Sequence, residues 1–457
     1  MKGFISSLMA RPSFALYRRT GFIFAVESAG KLVLFATTFV AASILPAGEF
    51  AQFGVLLAMQ QFVALLAQGG IAEAVIGEIG AEKDSGGRST MYRTALVALA
   101  WSSLFAAAAV LVWTSLWSPL TGLQGLGTAL SLLASGVASA AVMLRANFLV
   151  LEGNTRLSCG LKAAFYFCSA GGGLGLLILL RSAEGYFWGT CLLGVPCGYL
   201  AWRQSGTDAA ASVSRDALVR LFRRSLPFTG TALLGWAAWS GATLAIYACF
   251  DARVTACYTL LTSLSSILVF ATGAINQAWQ PEMVKSLRGT GLGLEQSRKY
   301  LADLLEIALL GGAMALLILV VIARERSVWF PARYPEMELL LPIGFAWVLV
   351  NLNYYVSVNQ FVFCSAGQRL LQISAATYLV GGVVWVALGY WFGEAGVYAG
   401  WGLTHFIRGI VVSRHAARQW SVRTHALRTF RVLAILTVFF YFLSLNPQVQ
   451  AWRGLLH

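Results

Sequence analysis

Residues 21–76, GFIFAVESAGKLVLFATTFVAASILPAGEFAQFGVLLAMQQFVALLAQGGIAEAVI, set the architecture of this chain. Two apolar stretches, 21–45 and 52–76, are separated only by PAGEFA. Each is near the roughly 20 residues that an α-helix needs to cross a hydrocarbon core about 30 Å thick. The same rhythm continues outward from this pair, at 95–117, 126–151, 161–180, 186–202, 227–250, 254–279, 301–322, 338–363, 371–392 and 396–413. A shorter run at 430–445 follows and is expected to cross or to lie in the interface, crossing being the favoured reading. The fold class read from this pattern is an all-α polytopic membrane protein with twelve main transmembrane helices in two six-helix bundles, with 430–445 as a thirteenth C-terminal helix if it crosses.

Composition and charge placement agree. Hydrophobic residues make up 58% of the chain and charged residues 11%, against about 25% charged in a soluble domain. With the N-terminus placed in the cytoplasm, 26 Lys and Arg fall in inside segments and six in outside ones. That bias follows the positive-inside rule. The net charge of +14 is therefore topological, with anionic lipid headgroups rather than nucleic acid as its partner. The first run begins only at Gly21 and lacks a small-residue cleavage site, so it does not read as a secretory signal. The seven cysteines form no CxxC and the four histidines no HExxH, which gives no metal or disulfide framework.

The longest inside link, about 203–225, divides the runs into six plus six. The organisation expected is a leader at 1–20, a first bundle at 21–203, a linker at 204–225, a second bundle at 226–414 and a basic segment at 415–457. The halves are expected to be weakly related, a likeness that chance among apolar helices also produces. At an offset of 205, the first helix pair can be laid on the seventh and eighth, with Phe53 falling on Tyr258. Six-plus-six arrangements of this kind are common in transporters, with the substrate path between the halves.

Leu45, Pro46, Gly48, Glu49, Phe53, Gly54 and Gly69–Gly70 form a pattern: a leucine, a Gly/Pro/acidic turn, a Phe-Gly pair, then an apolar helix ending in glycine. This resembles the first outside turn and second helix of the polysaccharide flippases of the multidrug/oligosaccharidyl-lipid/polysaccharide (MOP) superfamily, which is related in fold to the MATE exporters. The segment YTLLTSLSSILVFATGAINQAWQPEM, 258–283, is similar to the eighth helix of that family. The resemblance implies two bundles forming a V around a central cavity. It further implies a bacterial inner-membrane location and flipping of an undecaprenyl-pyrophosphate-linked oligosaccharide for O-antigen, capsule or exopolysaccharide synthesis. A polysaccharide polymerase and chain-length machinery would be the neighbouring partners of a monomeric transport unit.

Charges inside helices cost about 2.5–3.5 kcal/mol each on insertion scales, so those present are expected to face a cavity or a partner. Glu27 and Lys31 are four apart on the first run and share a face. As a functional pair, Lys31 binds a lipid pyrophosphate and Glu27 exchanges an ion; as a structural pair they neutralise each other. Two polar stripes, Thr272–Asn276–Gln280 and Asn351–Tyr355–Asn359, each lie on one helix face. They suit sugar hydroxyls or, structurally, hydrogen bonds between helices. Gln61 and Gln68 are seven apart in the second run, and Gln61 joins the substrate-binding set. So do Arg145 and Arg408, near inner helix ends, where snorkelling is the structural reading. His405 is an ion-coupling candidate. Glu73 is expected to be interfacial.

There is no GxxxxGK[ST] P-loop, so no nucleotide site or other cofactor is expected. Energy would come from an H+ or Na+ gradient, the membrane potential or consumption of the product. A drug or cation exporter of the same superfamily is the alternative function; it would favour an apolar or acidic cavity. A membrane-embedded glycan polymerase or ligase needs sizeable external loops, and none is present, so an enzyme is not expected.

Overall fold

The computed structural model describes residues 12–81, 85–121, 125–203, 213–263, 265–266, 334, 354, 357–362 and 364–420. The candidates Asn276, Gln280, Asn351 and Tyr355, and the run 430–445, lie outside these residues. Glu27 and Lys31 are placed on the first helix by their backbones alone.

Every regular element among the described residues is a helix. In the first half these are α1 (Pro12–Ile44), α2 (Ala47–Gln68), α3 (Ile71–Ala81), α4 (Ser85–Thr121), α5 (Leu126–Leu151), α6 (Thr155–Leu180) and α7 (Ala183–Arg203). The second half contributes α8 (Arg215–Ala238), α9 (Ala242–Cys249), α10 (residues 252–263) and α11 (Gly367–Trp420). Among the described residues six helical stretches are long and apolar enough to cross a membrane. The last of them runs 53 residues, enough for two crossings at about 20 residues each. It breaks at Gly393, whose φ of 58° ends one helix before the next begins. This break falls between the two runs read at 371–392 and 396–413.

The opening helix pair folds as its sequence suggests, with one addition. Pro46 N-caps α2 with extended backbone, and Glu49 occupies the first turn, where the positive end of the helix favours a carboxylate. Glu49 Oε2 also accepts from the Ala183 backbone N–H at 3.4 Å, tying the turn to α7. The run read as continuous to residue 76 is interrupted at Gly69 and Gly70, with φ of 53° and 61°. A Cβ on Gly70 would lie 2.5 Å from the Ser225 carbonyl oxygen and 3.0 Å from Phe228 Cβ. Gly70 thus marks where the α2–α3 bend presses on α8, and only glycine fits there.

α8 carries the second interruption. Ser214 caps its start by accepting from the Ala217 N–H at 3.1 Å. The helix ends at Ala238, and the chain turns through Trp239–Gly241 before resuming as α9. The break lies inside one apolar stretch, Arg215–Cys249. Carbonyls freed there need partners, because lipid offers none. Tyr258 O–H donates to Trp239 O at 2.8 Å, and His405 Nε2 lies 3.2 Å from Ala238 O.

The halves meet along α2. Trp236 Nε1 donates to Ala58 O at 2.9 Å, and Gly54 faces the side chain of Thr259 with no room for a Cβ. Gly54 and Thr259 are equivalent at the offset of 205. Phe50, Phe53 and Leu56 bury fully here with Tyr258 and Trp401. Large apolar side chains on the outward faces, Leu379, Val383, Val386 and Tyr390 among them, are 66–86% exposed. Their i, i+4, i+7, i+11 spacing is a lipid-facing stripe.

Candidate functional site

The α8 break organises two cavities. Phe228, Thr231 and Gly235 line the first with Tyr354, Tyr378 and Arg408; its volume is about 250 Å³. Glu73, His405 and Trp239 also line it. Ser240, within the break, and Thr243, just past it, line the second with Gln61, Thr259 and Thr262; its volume is about 130 Å³. Trp239 borders both. Along the chain, the α8 residues that line the first cavity precede the break, and Ser240 and Thr243, which line the second, lie in it and beyond it.

Arg408 dominates the first cavity. It is 6% exposed. Its Nη1 donates to Tyr378 O–H at 2.5 Å, and Nε and Nη2 each lie 3.3 Å from Ser374 Oγ. Its guanidinium carbon sits 4.0 Å from the centre of the Tyr354 ring and 4.6 Å from that of Tyr378. Two such ring contacts supply about 0.5–2 kcal/mol each. Among the described residues no carboxylate oxygen lies within 4 Å of it. Removing one charge from water costs several kcal/mol unless it is paired. Neutral hydroxyls and ring faces hold Arg408 in place without cancelling its charge, so an anion entering the cavity finds a cation already desolvated and oriented.

Of the residues singled out from sequence, Arg408, His405 and Gln61 come to these cavities. Arg408 is not a snorkelling side chain, because its head is enclosed. His405 packs edge-on against Trp239 and Trp401, at 5.1 and 5.8 Å between ring centres. Gln61 Oε1 accepts from Ser240 O–H across the halves. Arg145 lines neither cavity. It lies 3.8 Å from Glu152 Oε1 and 5.2 Å from the centre of the Tyr92 ring. Asn359 is buried, but Tyr354, Val358 and Val362 are the row that lines the first cavity. The side of that segment that lines the cavity is thus one position away from Asn359.

Glu73 corrects the interfacial expectation, because the bend at Gly69–Gly70 carries it to the cavity wall. Tyr354, Tyr378, Ser374 and Trp239 escaped the sequence reading. Ser374 and Tyr378 are four apart in SAATY, a polar pair on one face of an apolar run. Trp239 stands in WSG, a turn-forming triplet in mid-span. Among the described residues no cluster of His, Cys, Asp or Glu could hold a metal ion.

These features define a multi-pass helical membrane protein with cavities at and between its halves. Its fold is similar to that of solved MATE transporters. A eukaryotic MATE transporter, AtDTX14, superposes with a TM-score of 0.70 at 12% identity, over 92% of this chain and 98% of that one. A mutant of the Vibrio cholerae MATE transporter VcmN gives 0.66 at 14% identity over 91% and 99%. An outward-facing multidrug resistance MATE family transporter of the MOP superfamily gives 0.66 at 16% over 91% and 97%. No protein-family model and no curated protein sequence matches the chain.

Proposed function

We propose that this protein is a MOP-superfamily transporter that flips an undecaprenyl-pyrophosphate-linked oligosaccharide across the bacterial inner membrane, from the cytoplasmic to the outer leaflet. The observation that carries this reading is Arg408, an enclosed guanidinium without a carboxylate within 4 Å among the described residues, at the wall of a cavity between membrane helices. A phosphate-bearing headgroup cannot enter hydrocarbon alone. A buried cation and the hydroxyl-lined second cavity replace its water while the prenyl tail stays in lipid. Alternating access would follow if the headgroup binds the two states of the bundle with different affinity. His405 at the cavity and Glu27 on α1 are the candidates for H+ or Na+ coupling, and Lys31 remains a second candidate cation.

The test is a leaflet assay. Purified protein in liposomes carrying a lipid-linked oligosaccharide should accelerate the appearance of the headgroup on the opposite face, and Arg408→Ala should not. No acceleration by wild type with authentic substrate, with and without ion gradients, refutes the reading.

Glu73, a carboxylate on the same cavity wall, favours a second reading, an ion-coupled exporter of cationic drugs. Efflux of a cationic dye that is lost in Glu73→Gln and retained in Arg408→Ala would select it.

A further inference from the structure

The first cavity carries one group of each charge, contributed by different halves of the chain. Arg408 comes from α11 and Glu73 from α3. Like Arg408, Glu73 has no oppositely charged group within 4 Å among the described residues. It keeps accessible surface and lines the cavity, so a ligand can reach it. The other ionisable side chains on this wall are already engaged: His405 with Ala238 O, and Tyr354 and Tyr378 with Arg408.

Opposite charges attract strongly where water is scarce, yet packing holds these two apart. Ile71, Ala74 and Val75 sink α3 into the core of the first half. Gly70 presses on the Ser225 carbonyl oxygen, which a Cβ would meet at 2.5 Å. Arg408 is fixed in turn by Tyr378, Ser374 and the Tyr354 ring. A simple anion satisfies the guanidinium and is repelled by the carboxylate; a simple cation meets the reverse. A ligand that carries both charges satisfies both groups. Thr231 adds an acceptor on the same wall: its O–H donates to Pro227 O at 2.9 Å, which leaves lone pairs for one of the three N–H donors of an ammonium. The volume, about 250 Å³, is below the roughly 300–1,000 Å³ of pockets for drug-sized ligands and suits a compact headgroup.

We infer that the first cavity is a zwitterion site, in which Arg408 binds the acid group of the ligand and Glu73 binds an ammonium carried by the same ligand. Glu73 is then a specificity residue that selects an amine-bearing headgroup. The inference rests on the transporter reading above only for the acid group at Arg408. The same pair of charges exists in a free aminoalkyl phosphate and in the headgroup of an amine-bearing lipid phosphate.

Calorimetry on the full chain tests the site, in nanodiscs of phosphatidylglycerol, a lipid without an ammonium. The probes are phosphoethanolamine and propyl phosphate, in which a methyl replaces the ammonium. Wild type should bind phosphoethanolamine about tenfold more tightly, the effect of one hydrogen bond between charged groups. Glu73→Gln should bind the two probes alike, with propyl phosphate held at least as tightly as by wild type. Arg408→Gln should lose both. Equal affinity of wild type for the two probes overturns the zwitterion site and keeps the anion site. A preference that survives Glu73→Gln also overturns it, as does a loss of both probes together in that variant, the mark of a residue needed only for packing. No binding of either probe to wild type refutes the anion site as well.

Proteoliposomes then separate the sources. Flipping of a prenyl-phosphate-linked amino sugar that is faster with the amine free than acetylated, and indifferent to it in Glu73→Gln, assigns the site to the lipid headgroup. Uptake of free phosphoethanolamine that slows in Glu73→Gln assigns it to the soluble ester. A binding preference without any transport would refute the transporter reading and keep the site.

Discussion

Arg145 and Arg408 begin alike. Both are arginines on apolar helices, both stack on tyrosine, and both have little exposed surface. Their surroundings then diverge. Arg145, with its side chain 15% exposed, sits 3.8 Å from Glu152, itself 47% exposed. Arg408 is enclosed among two tyrosines and a serine and faces a cavity. The first arginine has a counter-charge of its own. The second is held by groups that orient a charge without neutralising it. An exposed ion pair contributes about 0–1 kcal/mol; a buried cation lacking one is retained at a net cost. A carboxylate within reach, rather than depth in the membrane, separates a structural arginine from one available to a ligand.

Truncating each arginine in turn puts that contrast at greatest risk. Arg408→Ala should reduce headgroup flipping in liposomes by about 100-fold, the loss expected when one member of a buried, hydrogen-bonded charge pair is truncated. Arg145→Ala in the same assay should stay within about threefold of wild type, since its partner is exposed and screened. Equal losses in both would erase the distinction.

Next in size is the tyrosine cage. Tyr378→Phe keeps the ring under the guanidinium but removes its hydrogen bond. Affinity for inorganic phosphate, read by calorimetry, should fall about tenfold, the scale of one hydrogen bond to a charged group. Glu73→Gln should move affinity the other way, raising phosphate binding about threefold by removing a carboxylate from the same cavity wall. An unchanged affinity would place Glu73 outside the field of the site. Stability should respond least: Arg145→Gln should lower unfolding free energy by no more than about 1 kcal/mol, the sum expected of an exposed pair and a weak ring contact. The apparent Tm in detergent is its measure.

Much of this fold was legible. The apolar runs at 52–76, 126–151 and 371–392 correspond to α2 with the start of α3, to α5, and to the first arm of α11. Gly69–Gly70 and Gly393 stand where helices break. The sequence offset that lays Phe53 on Tyr258 also pairs Gly54 with Thr259, which are in contact. The site was legible only in pieces. His405, Arg408 and Gln61 were found because polar groups inside apolar runs stand out. Tyr354 and Tyr378 were missed because a tyrosine in such a run reads equally well as packing. Glu73 reads as interfacial in the sequence because the bend that carries it to the cavity depends on two glycines whose left-handed backbone is visible only in the fold.

The amino-acid order was enough to read a helical membrane protein, where the helices of the described residues fall, and which charges cannot be left in lipid. Those properties depend on the cost of exposing polar groups to hydrocarbon, and that cost is local to each helix. Which face of each helix turns toward a cavity was settled only by packing. In water, hydrophobic periodicity points a helix at its core. In a membrane, lipid and protein interior are both apolar, so periodicity loses its direction. Asn359 and Tyr354 stand on the same segment, and it is Tyr354 that the tertiary structure sets on the cavity wall, with the ring on which Arg408 rests.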